Sequence, residues 1–270
     1  PLMVLMVLRS SEIPWPSRNS AAPTDLLRKQ IGSAWRWASL LVLTLLLSLS
    51  VILPLTQLFF SSRTWTELPN LFRAAPTTIW NSFAFSAVTA TLCVGIGLVT
   101  WRRRLGPILW LMFLIPGVLL GRLMISAFQG TVIYGTTSMV IIAFTLRYLA
   151  LGWQGVSLAC RQTDRDLTEA GRIDGATGWS MLRHIVWPQI APGVLATGYV
   201  TYLLCLWDIE TLVLLYPPGG ETLALRIFNL LHYGHNAQVN AMCMTLLALA
   251  VAPLVMWSAW RWMSRMTNAQ

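Results

Sequence analysis

DLTEAGRIDGATGWSMLRHIVWP, Asp166 to Pro188, sets three acids, two arginines, a histidine and three glycines between two long apolar runs. At helical spacing Leu167, Ala170 and Ile173 share a face, with Thr163 or Asp164 ahead of them as an N-cap. Gly175 and Gly178 bracket a turn. Trp179, Leu182 and Val186 then share one side of a second short helix that Pro188 stops. The expected product is a helix–turn–helix, apolar toward a helical bundle and charged toward water. A solvated amphipathic loop is the plain alternative, but roughly 35 residues of helical pattern is long for a loop without a task.

The apolar runs on either side define the setting. Of 270 residues, 56% are hydrophobic and 11% charged, with 14 Trp and 11 Met. A soluble domain is about a quarter charged, so the composition points to a polytopic, all-α membrane protein. The excess of 19 Lys+Arg over 10 Asp+Glu sits at the ends of apolar runs. That placement fits topology and anionic lipid, and it excludes nucleic acid as an expected partner. Cys93, Cys160, Cys205 and Cys243 are scattered, with no CxxC or Cys/His grouping, and read as free thiols.

A helix crossing ~30 Å of hydrocarbon needs about 20 apolar residues. Six runs qualify: Ala38–Phe60, Ser82–Thr100, Pro107–Gly121, Thr131–Leu151, Ile190–Leu215 and Val239–Trp260. The third is short and holds Pro116-Gly117, so a broken or tilted helix is expected there. On one side of these spans lie Arg18, Arg28, Lys29, Arg36, Arg102, Arg103, Arg104, Arg161, Arg165, Arg172, Arg183, Arg261 and Arg265, thirteen in all. Arg63, Arg73, Arg122 and Arg226, four in all, lie on the other. The positive-inside rule makes both termini and the quoted segment cytoplasmic.

The chain opens PLMVLMVL without an initiating Met; this stretch is too short to span and lacks the build of a cleaved signal. It reads as a fragment, such as the second half of a longer chain. The expected layout is a cytoplasmic linker at 1–35, a six-span domain at 36–265 with its loop at 161–189, and a tail at 266–270.

The quoted segment resembles the EAA loop of the permease subunits of binding-protein-dependent ABC importers. That pattern is Glu-Ala-Ala, a Gly six residues after the Glu, and an Ile-x-Leu-Pro ending. Here it reads Glu169, Ala170, Gly171, then Gly175, then Ile185, Val186, Trp187, Pro188. Gly171 stands for the second Ala, and a mid-helix Gly weakens a helix by roughly 0.5–1 kcal/mol; Trp187 stands for the Leu. The resemblance implies the importer-type six-helix fold, with Gly175 at the turn that enters a groove on a cytoplasmic ATP-binding subunit pair and Glu169 near a basic partner. It also implies a periplasmic or lipid-anchored solute-binding protein and a second permease half, in the inner membrane of a bacterium. A tight turn independently calls for Gly where backbones meet, and a carboxylate can pair with Arg across an interface. Without the motif, Gly175 could equally be an ordinary helix C-cap.

Lys29 is the chain's single lysine and lies in LLRKQIG, so no GxxxxGK[ST] phosphate loop is present. ATP hydrolysis is therefore expected on a partner chain, and this chain is read as a transport subunit without cofactor or metal. LLYPPGGETLALRIFNLLHYGH, Leu214 to His235, is similar to the outer loop of iron(III)-type permeases and their thiamine, polyamine and phosphonate relatives, and iron(III) is the leading substrate. His232 and His235 lack a third ligand and read as interfacial groups. Asp208 and Glu210 fall in the outer half of the fifth span. They read either as translocation-path acids, pointing about 200° apart on a helix, or as headgroup-level residues. Arg147, read as lying near the cytoplasmic end of the fourth span, is expected to snorkel. An ion-coupled secondary transporter using such acids as relays is the rival reading.

Overall fold

The computed structural model describes residues 33–232 and 236–267. The linker through residue 32 with Lys29, the residue His235, and residues 268–270 lie outside the described residues. The described residues form helices joined by turns and contain no strand. The chain divides into two compact units, Pro1–Thr66 and Glu67–Gln270. In the first, α1 (Ser33–Leu47), a π-turn (Ser48–Ile52) and α2 (Leu53–Phe60) run on as one apolar helix. Trp65 folds back to donate its Nε1–H to the Phe59 carbonyl at 2.8 Å. α3 (Ser62–Ala74) follows and passes into the second unit at Glu67.

The second unit is built on α4 (Pro76–Thr100), α7 (Thr137–Arg161) and α10 (Trp187–Leu206). Between them lie α5 (Gly106–Leu114), α6 (Gly117–Phe128), α8 (Arg165–Ile173) and α9 (Gly178–Met181). α11 (Leu212–Leu215), α12 (Leu223–His232) and α13 (Asn236–Thr267) complete it. Small residues let the three central helices touch. A Cβ on Gly152 of α7 would lie 2.7 Å from the Cys93 Cβ of α4, and one on Gly193 of α10 would lie 2.8 Å from the Ala159 Cβ of α7. Close backbone approach of this kind substitutes for the hydrophobic effect, which lipid does not supply between helices. Around these contacts Phe85, Val140, Phe144, Tyr148 and Cys205 form one buried cluster, and Tyr202, Leu206, Met242 and Leu246 another.

Several buried polar groups tie neighbouring helices together. Ser82 of α4 donates to the Thr78 carbonyl at 2.9 Å and accepts from the Leu223 N–H at 2.7 Å, tying α12 to α4. Pro253 inside α13 cannot donate to the Leu249 carbonyl, four residues back. Tyr202 of α10 donates to that carbonyl at 3.0 Å instead, and Tyr199 donates to Ala250 O at 3.0 Å. A freed helix carbonyl is thus met by a neighbouring helix.

Among the described residues, five helices are long and apolar enough to cross a membrane: Trp37–Phe60, Pro76–Thr100, Thr137–Arg161, Gly178–Leu206 and Ala237–Met263. α5 and α6, bent by 102° at Ile115 and Pro116, make a sixth if counted as one broken span. The break falls where Pro116-Gly117 predicts it. Other span limits also differ from the sequence reading, most of all in the fourth and fifth. The fourth begins at Thr137, not Thr131, because residues 129–136 are turns, with Gly130 and Gly135 at φ +88° and +69°. The fifth ends at Leu206, not Leu215.

Pro188 does not stop the second short helix. α9, a π-turn (Leu182–Val186) and α10 form one continuous helix from Gly178 to Leu206. Both π-turns end two residues before a proline, Pro54 in one case and Pro188 in the other. A widened turn relieves the clash of a proline ring with the preceding turn and absorbs its missing donor.

Candidate functional site

The segment 161–189 is ordered by its own short-range bonds. Asp164 is the N-cap of α8 and accepts from the Asp166 N–H at 2.9 Å, and its own N–H donates to Gln189 Oε1 at 2.8 Å. Thr163 bonds back to the Cys160 carbonyl at 2.6 Å. At the far end the Ala176 N–H reaches Gly171 O at 2.9 Å and the Gly175 N–H reaches Arg172 O at 3.1 Å. This pair of bonds is a Schellman motif, with Gly175 at φ +80° in its left-handed position. Gly178, at φ +50°, starts α9.

The sites read from the motif fall as follows. Glu169 and Ala170 are exposed on α8, Gly171 is buried, Gly175 is exposed at the turn, Ile185 is half-buried in the π-turn and Pro188 is exposed. A Cβ on Gly171 would run into Ile185 Cδ1, whereas a Cβ on Gly175 would meet nothing within 4 Å. The glycine at 171, read from sequence as a weakness in the helix, is therefore the seat of Ile185. The apolar face is also not where it was expected. Leu167, Ile173 and Trp179 are 53%, 86% and 71% exposed, turned away from the bundle.

A second constellation joins α7, α6 and the turn after α10. Arg147, the eleventh of the 25 residues of α7, does not snorkel. Its Nη2 donates to Glu210 Oε2 at 2.8 Å and its Nη1 to Thr211 Oγ1 at 2.7 Å, with Asp208 Oδ2 at 3.5 Å from Nη1. Asp208 also accepts from Tyr148 Oη at 2.9 Å, from the Thr211 N–H at 3.0 Å and from Thr211 Oγ1 at 2.9 Å. The Gly117 N–H, at the start of α6, donates to Glu210 Oε2 at 3.2 Å. An anionic group at a helix N-terminus is favoured by the helix dipole, and Glu210 supplies it across 93 residues of sequence.

These positions correct the reading of the two acids. Because α10 ends at Leu206, Asp208 and Glu210 lie in a turn, and both carboxylates converge on one guanidinium instead of pointing apart. Their exposure differs sharply: the Asp208 side chain is 2% exposed and that of Glu210 61%. The Arg147 hydrogen bond first, then the Gly117 N–H and the Arg147 charge, hold the Glu210 carboxyl below the usual carboxylate range. Sequence reasoning missed Gly117, Tyr148 and Thr211. The available signal was an arginine inside an apolar run together with a Pro-Gly break.

His232 bonds to the Phe228 carbonyl at 2.8 Å through Nδ1, and its ring lies 4.8 Å from that of Phe228. Among the described residues no group of three His, Cys, Asp or Glu side chains could hold a metal ion. All four cysteines are free.

A bundle of apolar spans, one of them broken, carrying an ordered charged helical segment between two of them defines a multi-pass membrane protein of helical type. Residues 99–263 match the family described as binding-protein-dependent transport system inner membrane component, and the chain belongs to that family. It is 28% identical over 155 residues to PhnV of Salmonella paratyphi A, a permease protein assigned provisionally to a 2-aminoethylphosphonate transport system; the match covers 57% of this chain and 58% of PhnV. It is 24% identical over 160 residues to FbpB 1 of Haemophilus influenzae, assigned provisionally as a ferric transport system permease protein, covering 55% of this chain and 25% of that one. The chain thus spans less than two thirds of the length of these relatives. Its fold is similar to a chain of the bacterial alginate ABC transporter crystallised with an alginate pentasaccharide-bound periplasmic protein, with a TM-score of 0.64 and 18% identity over 88% of this chain and 97% of that one.

Proposed function

We propose that this chain is the permease subunit of an ATP-driven solute importer, coupled through residues 161–189 to a separate pair of cytoplasmic ATP-binding subunits. A solute-binding protein on the outer side and a second permease half, as a separate chain or as a fusion, complete the assembly. Hydrolysis occurs on the partner; ATP-driven closure presses on Glu169, Ala170, Gly171, Gly175, Ile185 and Pro188 and swings the spans from inward- to outward-facing. The observation that carries this reading is the uncovered face of Leu167, Ile173 and Trp179. The segment is held by caps and turn bonds, yet the described residues leave these three apolar side chains more than half exposed. A partner surface provides that cover. Family membership supports the same reading.

The thirteen-to-four charge asymmetry supports cytoplasmic termini and a cytoplasmic segment, with the outer loops on the far side of the inner membrane. Asp208 and Glu210 are proposed to border the translocation path. Their engagement with Arg147 weighs against the ion-coupled rival, which needs acids free to exchange protons or cations. For the substrate we propose iron(III) or a related small solute. The name of FbpB 1 supports iron, while that of PhnV points to a phosphonate within the same range of solutes.

The test is reconstitution. Purified through a tag on this chain, the complex should bring an ATP-binding subunit with it. In liposomes it should take up solute only with ATP and the binding protein, with ferric iron and 2-aminoethylphosphonate compared directly. A single cysteine at Thr163 should resist an impermeant reagent in intact cells, and one at Gly220 should label. Uptake driven by an ion gradient without ATP, or labelling of Thr163→Cys from outside, overturns the reading.

A further inference from the structure

We propose that Arg147, Glu210 and Gly117 form a releasable clamp, in which the Glu210 carboxylate leaves Arg147 and the Gly117 N–H to free α6 from the turn after α10, while Asp208 stays in place. The two acids on Arg147 are built differently. Asp208 is enclosed and takes hydrogen bonds from Tyr148 and from the N–H and hydroxyl of Thr211, so both its oxygens are occupied. Moving it would leave a buried charge without partners. Glu210 is mostly exposed and accepts from both Arg147 and Gly117 through Oε2 alone. Only the Glu210 end of the pair is open; Arg147 keeps Thr211 and Asp208 when Glu210 leaves, so parting removes one partner of the guanidinium and not the last.

The closed arrangement is nevertheless specific. Pro116, the N-cap of α6, supplies no side-chain cap, so the first turn takes its anionic partner from Glu210. Gly117 is the one residue type that fits beneath the clamp: a Cβ there would strike Arg147 Nη1 and lie 2.7 Å from Glu210 Cβ and 2.9 Å from the Thr211 nitrogen. A contact this close on one side and this exposed on the other has one defined closed state and an open side from which Glu210 can leave. Further along the same two elements, a Cβ on Gly121 of α6 would sit 3.3 Å from the Leu214 Cβ of α11. That distance is near the Cβ spacing of a disulfide, so the pair reports on whether α6 and α11 stay together.

The test uses Gly121→Cys with Leu214→Cys in the tagged chain, purified with the subunits that accompany it. Oxidation by copper phenanthroline is followed by maleimide mass-tagging. The pair should oxidise readily without nucleotide. In the Glu210→Gln background oxidation should slow, by up to about fivefold, the limit set by a ~1 kcal/mol shift in the closed–open equilibrium. If that variant does not accumulate, Glu210→Asp, one methylene too short to reach both donors, should slow it likewise. ATP with vanadate should slow it in the parent background; this arm alone rests on the importer reading. Equal rates with and without the Glu210 substitution overturn the clamp, whatever vanadate does. A Glu210 effect without a vanadate effect leaves the clamp standing and counts against the importer reading.

Discussion

Ile185 occupies the space that a side chain on Gly171 would need, so that the π-turn before Pro188 rests directly on the last turn of α8. Two effects of Gly171→Ala then oppose each other. Alanine favours the helix by roughly 0.5–1 kcal/mol over glycine, while forcing a methyl into a filled site costs about 1–3 kcal/mol. The second is larger. Gly171→Ala should destabilise the segment, seen as faster limited proteolysis between α8 and α10, and Ile185→Val, which removes the clashing Cδ1, should restore most of the loss. A more resistant Gly171→Ala protein would mean helix propensity dominates and the contact is soft.

Gly175 makes the opposite case. Nothing surrounds its Cβ position, and the constraint is the left-handed backbone alone. Gly175→Ala should cost the segment about 1–2 kcal/mol, whereas Gly175→Asn, which tolerates that conformation, should cost less. Gly175→Arg adds bulk at the turn. If the turn enters a groove on the partner, ATPase stimulation should fall well below that of Gly175→Asn while membrane insertion holds. Equal activity of the Asn and Arg variants would reduce Gly175 to a helix cap.

A contrast within the spans isolates the clamp's geometry. Gly117→Ala should lower folded yield and thermal stability severely, since backbone and a held guanidinium surround the site. Gly95→Ala in α4, with nothing within 4 Å of the added methyl, should be neutral or slightly stabilising, by up to ~1 kcal/mol. Comparable melting temperatures for the two variants in detergent would show that α6 shifts freely.

Neutralising the acids should give unequal results. Asp208→Asn places an amide donor against the Tyr148 and Thr211 hydroxyls and removes a buried counter-charge of Arg147. About 3–5 kcal/mol is the usual cost of breaking such a pair. Glu210→Gln should cost about 0–1 kcal/mol, because the pair is exposed. The pH dependence follows the same division. Glu210 has its folded pKa lowered by Arg147 and Gly117, so its contribution is present above the unfolded carboxylate value and is lost as pH falls through the lower folded one. At neutral pH the carboxylate thus stays ionised, and protonation weakens its contact with Arg147 only in acid below the usual carboxylate range. Infrared difference spectra of Glu210→Gln against the parent would detect the protonation; a carboxyl signal near neutral pH would contradict it.

Much of this was legible in the sequence. The glycine spacing of the segment and the Pro116-Gly117 break rest on local chemistry, and local chemistry can be read along the chain. Asp164 as a cap belongs to the same class. The errors came from what distance in sequence hides. Arg147 lies 61 residues from Asp208, and an apolar run around an arginine reads equally as a snorkelling end or a paired interior. The fifth span looked longer because apolar residues continue past Leu206, while Asp208 folds back on the Thr211 N–H and turns the chain there. Gly171 read as a helix weakness because nothing in its own helix announces Ile185. Pro188 read as a stop because a one-residue widening of the backbone leaves no mark in composition.

That widening has a mechanical meaning. Gly178 to Leu206 is an unbroken helix of 29 residues, about 43 Å long at 1.5 Å per residue. One end abuts the exposed turn at Gly175 and the other stops two residues short of Asp208. The π-turn lets the rod pass Pro188 without a joint. In the proposed importer, one continuous helix thus links the turn that meets the partner to the anchored carboxylate that holds Arg147.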